Sequence, residues 1–401
     1  MRDYFSDLTF GELQKRYPVL CEERARYEPK KVRDRLRKAG GFEKQKLMRY
    51  VLFPLDVRWI YYEREAKLLN ESRPELGEHL DGNEFLVGVP QARRVSESRP
   101  LILNSLFDLH LHDWGSVGFP AEVKPDEGIG GLFKPEPEDL VPSANLAPGV
   151  WTALRSAWNL KGDLRGKAAK ALCRALFRYC AAIAHSPQYE SDHKDSLAQD
   201  WPHVPIPRDR ADFDNTVKLG EHISALLNPL ADGTATLKTL LGKDAKTLGV
   251  VQRVGGGVVK EKDLVVEYTY YGAAIGRWDE RPPAESEPLR PEWGEVTGDL
   301  YLNENIFLAN VPRGIWRYEL GGYPVLKKWL GYRQANRRDN APLSLGQLDE
   351  LRAIVLSVAT LLTLRPMLDA AYEKAAAASW PLDELSADTG KAAQANAQTS
   401  A

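Results

Sequence analysis

The sequence predicts an α+β fold, with mixed strands, a helical middle section and C-terminal helices. Strand patterns rich in β-branched and aromatic residues occur at residues 56–63 and 84–90, and they return at 263–272 and 298–310. Between them, residues 167–186 repeat apolar pairs at helical spacing, which indicates a helix with one buried face. Strands that flank a run of helices, rather than alternating with them, are typical of the α+β class.

Local signals predict the remaining elements in order. A basic helix should begin after Pro29 and end at Gly40-Gly41, because proline is favoured at helix starts and glycine at helix ends. Residues 147–160 and 212–230 read as further helices of the middle section. Residues 124–149, rich in proline and glycine, read as a loop. Residues 344–379 predict one long helix or two shorter ones.

We therefore predict four parts in the chain. Residues 1–145 form an N-terminal α+β part with basic helices, and residues 146–240 form a helical section. Residues 241–383 form a strand-rich recognition part that ends in the C-terminal helices. Residues 384–401 lack the apolar content needed for a core and are expected to be a disordered tail.

Composition limits the classes of function. The chain has 401 residues, of which 43% are hydrophobic, so it can build a buried core. It has no run of eighteen apolar residues and no signal pattern at its start, and its three cysteines form no CxxC. These features predict a cytoplasmic protein without structural zinc and without a membrane span. Because the net charge is only -2, any binding to nucleic acid must come from local basic patches.

Two such basic patches stand out. Residues 30–49 contain nine Lys or Arg and only two acids. The second patch follows the Gly321-Gly322 turn, where the apolar stripe of Val325, Leu326, Trp329 and Leu330 predicts a short amphipathic helix. Cations and amides lie off that stripe or follow it, and Arg58 lies on the strand at 56–63. The candidate DNA-binding residues are Lys327, Lys328, Arg333, Gln334, Asn336, Arg337, Arg338 and Arg58.

These residue types suit DNA, but they also suit an ordinary surface. Lys and Arg contact phosphates, whereas Arg pairs with guanine and Asn or Gln pairs with adenine in the major groove. A run of charge is just as often a solvated face. On the same grounds we expect Trp329 to lie in the core, and we expect Trp59 and Tyr61 to be mostly buried.

The motifs of several enzyme classes are missing from the sequence. It contains no NPPY or DPPW motif of an adenine methyltransferase, and its glycine turns at 126–133 and 253–260 match neither nucleotide-binding pattern. His110 and His112 share the i, i+2 spacing of some metal-dependent hydrolases, but two histidines do not complete a ligand set. The other interpretation of this pair is a polar turn at a strand end, and we expect no metal there.

Four segments, in order, resemble one family. Residues 50–63, "YVLFPLDVRWIYYE", are similar to its "RPFDxRWxYY" signature, and residues 103–120 resemble the segment that follows. Residues 179–209 are similar to "YxYAVLHSPxYRxRYxExLKxDFPRIPxP", and residues 315–324 resemble "VWRYELGGYP". These are marks of the C-terminal target-recognition region of Type ISP single-chain restriction–modification enzymes. The chain departs from the family pattern in Leu55, and in His193 and Lys194.

The resemblance implies a DNA target-recognition domain, and so a part in phage defence. Such a domain binds double-stranded DNA and presents the site to an adenine N6 methyltransferase and nuclease elsewhere. The partners are then methyltransferase, helicase and nuclease domains, in cis or in trans. S-adenosylmethionine, ATP and Mg are implied for the parent enzyme only, and no catalysis is expected from this chain alone. The alternatives are a metal-dependent hydrolase using His110 and His112, and a protein-interaction scaffold.

Overall fold

The structure of the protein is a computed structural model. It describes residues 2–24, 26–64, 67–69, 74–113, 115–124, 141–274, 276–284, 288–335 and 341–386. Helices and several small sheets pack together, which confirms the predicted α+β class.

The helices of the described residues include short and long ones. In chain order they are α1 (Arg2–Phe5), α2 (Phe10–Arg16), α3 (Pro29–Lys38), α4 (Pro74–Glu78), α5 (Pro148–Ala157), α6 (Lys167–Ala184), α7 (Pro187–Asp192), α8 (Lys194–Leu197), α9 (Arg210–Leu227), α10 (Thr234–Leu241), α11 (Arg313–Trp316), α12 (Val325–Gly331), α13 (Leu345–Ala377) and α14 (Leu382–Ser386). Short 3-10 helices occur at Pro18–Cys21, Lys44–Lys46, Val95–Glu97, Gly242–Lys246, Glu261–Asp263 and Pro291–Trp293.

The strands form small, mostly antiparallel sheets. In chain order they are β1 (Leu47–Phe53), β2 (Asp56–Tyr61), β3 (Phe85–Gly88), β4 (Leu101–Leu103), β5 (Leu106–Phe107), β6 (Val117–Pro120), β7 (Glu122–Val123), β8 (Ser143–Ala144), β9 (Val250–Arg253), β10 (Arg277–Arg281), β11 (Thr297–Tyr301), β12 (Ile306–Ala309), β13 (Glu319–Leu320) and β14 (Tyr323–Pro324). Their orders are β2-β1-β5, β4-β3-β6, β7-β8, β10-β11-β12-β9 and β13-β14. Among the strands of the described residues, only β1 and β5 pair in parallel.

The N-terminal helices form a module with its own small core. Tyr4, Leu13, Val32 and Leu36 are buried together with Tyr61 at the end of β2. Because Tyr61 belongs to both the module and the β1–β2 hairpin, the module is attached to the body of the protein through that strand.

The helical middle section depends on close contact between α6 and α9. A Cβ built at Gly220 of α9 would lie 1.9 Å from the backbone oxygen of Arg178 in α6. Any larger residue would clash at this position, so glycine allows α6 and α9 to pack with their backbones in close contact. Ser186 caps α7 by accepting from the backbone N–H of Tyr189, and it donates to Asp369 at 2.6 Å. Ser186 is therefore the N-cap of α7.

One large core joins the beginning, middle and end of the chain. Phe85, Ile223, Leu300 and Leu351 all belong to the same buried cluster. The predicted boundaries at 145 and 240 stay a prediction, since the core itself does not stop at either position. Helix α13 runs through this core. It is long and apolar enough to cross a membrane by length and composition, but 56% of its most apolar window is buried inside the protein.

Several predicted elements need correction. Residues 264–272, all of them described, form no regular strand and make only an isolated bridge between Val266 and Gln334. The alternation at 298–310 is not one strand but the β11–β12 hairpin, because Asn303 turns the chain by accepting from the backbone N–H groups of residues 305 and 306. Of the two alternatives predicted for residues 344–379, the structure has the single long helix, α13 (Leu345–Ala377). Of the predicted tail, residues 384–386 belong to α14, and 387–401 lie outside the described residues.

Arg99 connects three segments of the chain through buried polar contacts. It is buried, and its guanidinium binds both carboxylate oxygens of Glu190 in α7, at 2.5 and 2.8 Å. It also donates to the backbone oxygen of Glu319 in β13, and its guanidinium lies over the Tyr318 ring. Burial pushes the pKa of Arg99 down, but the nearby Tyr318 and Glu190 outweigh this and keep it charged. Parts of the chain that are far apart in sequence therefore meet at one side chain.

We expect Glu190→Ala to destabilise the protein by about 3–5 kcal/mol, because it leaves the buried Arg99 charge without its partner. The matched control is Glu384→Ala, which breaks the exposed pair between Arg208 and Glu384 and should cost less than about 1 kcal/mol. Urea unfolding of both variants measures the difference. Equal losses in the two variants would contradict the central role given to Arg99.

Candidate nucleic-acid interface

The Gly321-Gly322 pair makes the turn between β13 and β14, as predicted. Both residues have positive φ, at 63° and 82°. A Cβ at Gly322 would lie 2.7 Å from a carboxylate oxygen of Glu97. Space and backbone conformation therefore both require glycine here. The turn is fastened to the preceding part of the chain, since the Gly321 N–H donates to the Ser96 oxygen at 2.9 Å.

Helix α12 follows this turn and buries its apolar stripe. Val325, Leu326, Trp329 and Leu330 are fully buried, which confirms the predicted core role of Trp329. The Trp329 indole N–H donates to Glu350 at 3.3 Å. The lysines of α12 are off the stripe, as the helical spacing predicted.

Lys327 and Lys328 lie on one side of a cleft of about 320 Å³. Tyr271, Tyr323 and Tyr332 also line it. The Lys327 ammonium donates to the Gly272 oxygen at 2.8 Å, which ties the 270–272 loop to α12. The Lys328 ammonium lies 4.2 Å from the centroid of Tyr323 and 5.6 Å from that of Tyr332. Tyr323 is buried, whereas Tyr271 is 55% exposed, so the cleft offers a ligand the two lysines and the exposed Tyr271 ring.

The other side of the cleft comes from a distant part of the sequence. Arg94 donates to the Gly322 oxygen at 2.6 Å, across a sequence separation of 228 residues, and it lies 3.4 Å from Asp113. Local sequence patterns did not indicate Arg94 or Tyr271, because neither lies in a basic run or motif. Only the folding of these segments together brings them to the cleft.

Arg58 reaches the same region from β2. Its guanidinium makes two hydrogen bonds to Asp56, at 3.1 and 3.0 Å, and lies 5.3 Å from the centroid of Tyr332. The side chain keeps 36% exposure. It is therefore a charged group at the edge of the cleft whose direction is set by a buried carboxylate.

The burial of the Arg333 side chain differs from the prediction. We expected this residue on an exposed cationic segment, but its side chain is only 7% exposed. It makes two hydrogen bonds to Asp56, at 2.9 and 3.0 Å, and stacks 3.7 Å over the Trp329 ring. Burial alone would raise the pKa of Asp56, but hydrogen bonds from Arg333 and Arg58 outweigh it and hold that pKa below its usual range. Arg333 therefore joins α12 to the β1–β2 hairpin instead of facing solvent.

Gln334 is also buried, and its side-chain amide donates to the Tyr268 oxygen at 3.2 Å. The expectation that it projects from the segment is corrected as well, because this bond and the Val266 bridge hold the segment against the 264–272 region. Asn336, Arg337 and Arg338 lie outside the described residues, so their role stays a prediction.

Trp59 differs from its prediction in the opposite sense. It is 61% exposed, whereas Tyr61 is buried as expected. Trp59 pairs across the hairpin with Arg49, whose guanidinium lies 5.0 Å over the indole ring. The sequence shows the alternation of the strand, but not which face the rest of the protein covers.

His110 and His112 do not form a shared ligand pair. They lie in the turn after β5, with His110 exposed and His112 fully buried. Both ring nitrogens of His112 are engaged, one with the Ser116 hydroxyl at 3.0 Å and the other with the Arg99 oxygen at 3.2 Å. Burial lowers the pKa of His112 to about 4, so the ring is neutral at pH 7. The described part of the chain contains no group of three or more His, Cys, Asp or Glu side chains placed to hold a metal ion.

The glycine turn at 253–260 gives no nucleotide cradle. It follows β9 and leads to the 3-10 helix Glu261–Asp263, not to the N-terminus of an α-helix. Phosphate sites of that kind need a strand, a turn and a helix whose N–H groups point to the ligand. The residues present therefore do not fit S-adenosylmethionine or ATP at this turn. The other glycine turn, at 126–133, lies outside the described residues.

Comparison with known proteins finds one matching family and several similar structures. Residues 12–353 match the model of the Type ISP C-terminal specificity domain. Similar solved structures, each 14% identical, include the ATP-dependent Type ISP restriction-modification enzyme LlaBIII bound to DNA (TM-score 0.45), a DrdV–DNA complex (0.50), and a nuclease-deletion mutant of the Type ISP enzyme LlaGI with a DNA substrate mimic (0.43). The matches cover 92%, 92% and 82% of this chain but only 21%, 32% and 25% of those chains. No curated protein matches the sequence.

Trp329→Ala should destabilise the protein by about 3–5 kcal/mol, because it empties a fully buried site beneath Arg333. Trp59→Ala removes the same side chain from an exposed position and should cost less than about 1 kcal/mol. Chemical unfolding of the two variants measures both effects. A large loss for Trp59→Ala would mean that its exposed face is covered in solution.

The lowered pKa of His112 predicts that the stability of the protein depends on pH. Its folded pKa of about 4 lies below the unfolded value near 6.5, so only the unfolded state takes up a proton between them. Stability from this group is complete above about pH 6.5 and is lost towards pH 4, by up to about 1.4 kcal/mol per pH unit. The stability of His112→Asn should fall less steeply in this window. His110→Asn, at the exposed neighbour, should keep the wild-type slope, and identical slopes in both variants would disprove the assignment.

Proposed function

This chain belongs to the family of Type ISP C-terminal specificity domains, and we propose that it binds double-stranded DNA at a short asymmetric site. It presents that site to an adenine N6 methyltransferase and a nuclease located elsewhere. The observation that carries the proposal is the family match over residues 12–353. The chain spans only about a fifth to a third of the length of the similar solved structures.

The cleft beside α12 is where we propose that DNA makes contact. Lys327 and Lys328 bring positive charge to it, and Arg58 lies at its edge. A lysine ammonium carries no directional pattern for a base edge, so we assign Lys327 and Lys328 to phosphates, which position a domain without reading sequence. Asn336, Arg337 and Arg338 follow in the chain, and they remain proposed contacts.

Arg58 is better suited to a base than the lysines are. A guanidinium whose direction is fixed beforehand loses less conformational freedom when it forms two parallel hydrogen bonds. Asp56 supplies that orientation, and its own charge is shared with Arg333, so Arg58 keeps part of its positive potential. The complementary base is guanine, which offers two acceptors in the major groove.

The proposed partners follow from the same family membership. Methyltransferase, helicase and nuclease domains act with this chain in cis or in trans, in the cytoplasm. S-adenosylmethionine, ATP and Mg belong to those domains. No step of their chemistry involves a residue of this chain, whose part is to hold and orient the DNA.

The two rival functions remain as outcomes of the tests. A metal-dependent hydrolase would need His112 as a ligand, yet both of its ring nitrogens are already bonded within the protein. A protein-interaction scaffold would use the basic surfaces for a partner protein, and its binding to DNA would show little dependence on salt.

DNA binding should depend strongly on salt and on the cleft. If about four phosphates are contacted, log affinity should fall with log salt at a slope of about -4. The Lys327→Gln, Lys328→Gln double variant should weaken binding to all duplexes alike and reduce the magnitude of the slope by about 2. Lys161→Gln, Lys167→Gln is the control, because these exposed lysines lie in the helical section. Fluorescence anisotropy at several salt concentrations measures the slopes, and a wild-type slope near zero would favour the scaffold.

We further propose that this chain alone neither methylates nor cuts DNA. Its sequence contains no methyltransferase motif, and the described glycine turn does not form a nucleotide cradle. DNA incubated with the pure chain and labelled S-adenosylmethionine should stay unlabelled and intact. Incorporation of label, with DNA binding unchanged, would show that the chain carries a catalytic site of its own.

A further inference from the structure

The cations of residues 30–49 fall into two groups. Some bind other groups of the protein, and others have no partner for their side chains among the described residues. Arg33 is buried and donates to the backbone oxygens of residues 4, 6 and 8, so it holds the module together. Lys31 and Arg37 pair with acids, Lys46 pairs with two glutamates, and Arg49 lies over Trp59. The side chains of four exposed cations make no hydrogen bond or ion pair among the described residues. They are Lys30, Arg35, Lys38 and Lys44.

Three of these cations share one face of α3. At 100° per residue, Lys30 and Arg35 are about 140° apart around the helix, and Lys38 lies between them. Val32, Arg33 and Leu36 bury the opposite face in the core of the module. We call Lys30, Arg35, Lys38 and the following Lys44 the α3 basic face. Its length of about 12 Å along the helix matches a stretch of duplex that carries about seven phosphate charges.

Helix stability does not explain the α3 basic face. Cations near the C-terminus of a helix interact favourably with the helix dipole, which accounts for Arg35 and Lys38. Lys30 lies in the first turn, where the dipole disfavours a positive charge. Lys31 and Arg35 are also like charges at i, i+4, which destabilises a helix slightly. The arrangement therefore points to an external anion.

Composition and position favour DNA over a protein as that anion. Lysine is depleted from protein interfaces, whose centres contain aromatic and other apolar anchors. Among the described residues of α3 and the Lys44–Lys46 turn, none is an exposed large apolar side chain. The module is joined to β2 at Tyr61, which is three residues, or about 10 Å, from Arg58. The strand that carries Arg58 therefore ends in the same small core that holds Val32 and Leu36 of α3.

We propose that the α3 basic face is a second DNA-backbone surface, which holds duplex next to the part seated at the cleft. This inference rests on the proposed function and extends it. The contact is with phosphates, so it adds affinity that does not depend on sequence. It lengthens the footprint of the domain beyond the cleft and fixes the direction in which the duplex leaves it.

The test uses the full chain and a random-sequence duplex of about 40 base pairs, roughly four helical turns. The test variant is Lys30→Gln, Arg35→Gln, Lys38→Gln, because glutamine keeps helix propensity. The control is Lys161→Gln, Lys167→Gln, Lys194→Gln, which removes the same charge from exposed lysines of the helical section. Affinity is measured between about 50 and 200 mM salt, and thermal melts check that each variant is folded.

We expect the test variant to lower the magnitude of the salt slope by about 2 units, and the control to leave it nearly unchanged. Combined with Lys327→Gln and Lys328→Gln, the losses should add in free energy, as they do for separate sites on one ligand. If wild-type chain binds DNA and the test variant keeps the wild-type slope, the inference is overturned while the proposed function stands. If wild-type chain itself shows no salt-dependent binding, both fail. Equal losses in test and control would show an effect of net charge only and would also overturn the inference.

Discussion

The buried guanidinium of Arg99 is the interaction on which the arrangement of this protein depends. It lies where three parts of the chain meet: the segment before β4, helix α7 and the β13–β14 hairpin. A buried charge is tolerated only when it is fully bonded, so these three parts must come together in one geometry for Arg99 to be satisfied. The backbone oxygen of Arg99 also receives the bond from His112. The turn after β5 is thereby held to the same point.

The cleft follows from this constraint. The β13–β14 hairpin is fixed against Arg99 on one side, and helix α12 continues directly from it. Just after the C-terminal end of α12, Arg333 binds Asp56 of the β1–β2 hairpin. Asp56 in turn orients Arg58, so this partly exposed arginine at the edge of the cleft is held through the buried Arg333–Asp56 ion pair. In the proposed contact with DNA, such rigidity would keep the hydrogen-bond donors in place, and misplaced donors lose their selectivity.

The fold was largely predictable where local pattern decides it. Helices α3, α6 and α9, strands β2 and β3, the Gly321-Gly322 turn and the core role of Trp329 follow from apolar spacing and from proline and glycine signals. The candidate site was less predictable. Lys327 and Lys328 were found because they lie off an apolar stripe, whereas Arg333 and Gln334 immediately after the helix were misjudged. Their side chains are polar, and nothing local distinguishes a solvated arginine from one that a carboxylate 277 residues away will bury.

The sequence by itself determined the class of fold, the family and the positions of the basic segments, since these depend on composition, spacing and motif. The tertiary structure decided which of those basic residues remain available. It buried Arg33 and Arg333, paired Lys31, Arg37 and Lys46, and left Lys30, Arg35 and Lys38 without a partner among the described residues. It also exposed Trp59 and joined Arg94 to Gly322. The physical reason is that a charge acquires its role from the groups that surround it, and those groups come from parts of the chain that only folding brings together.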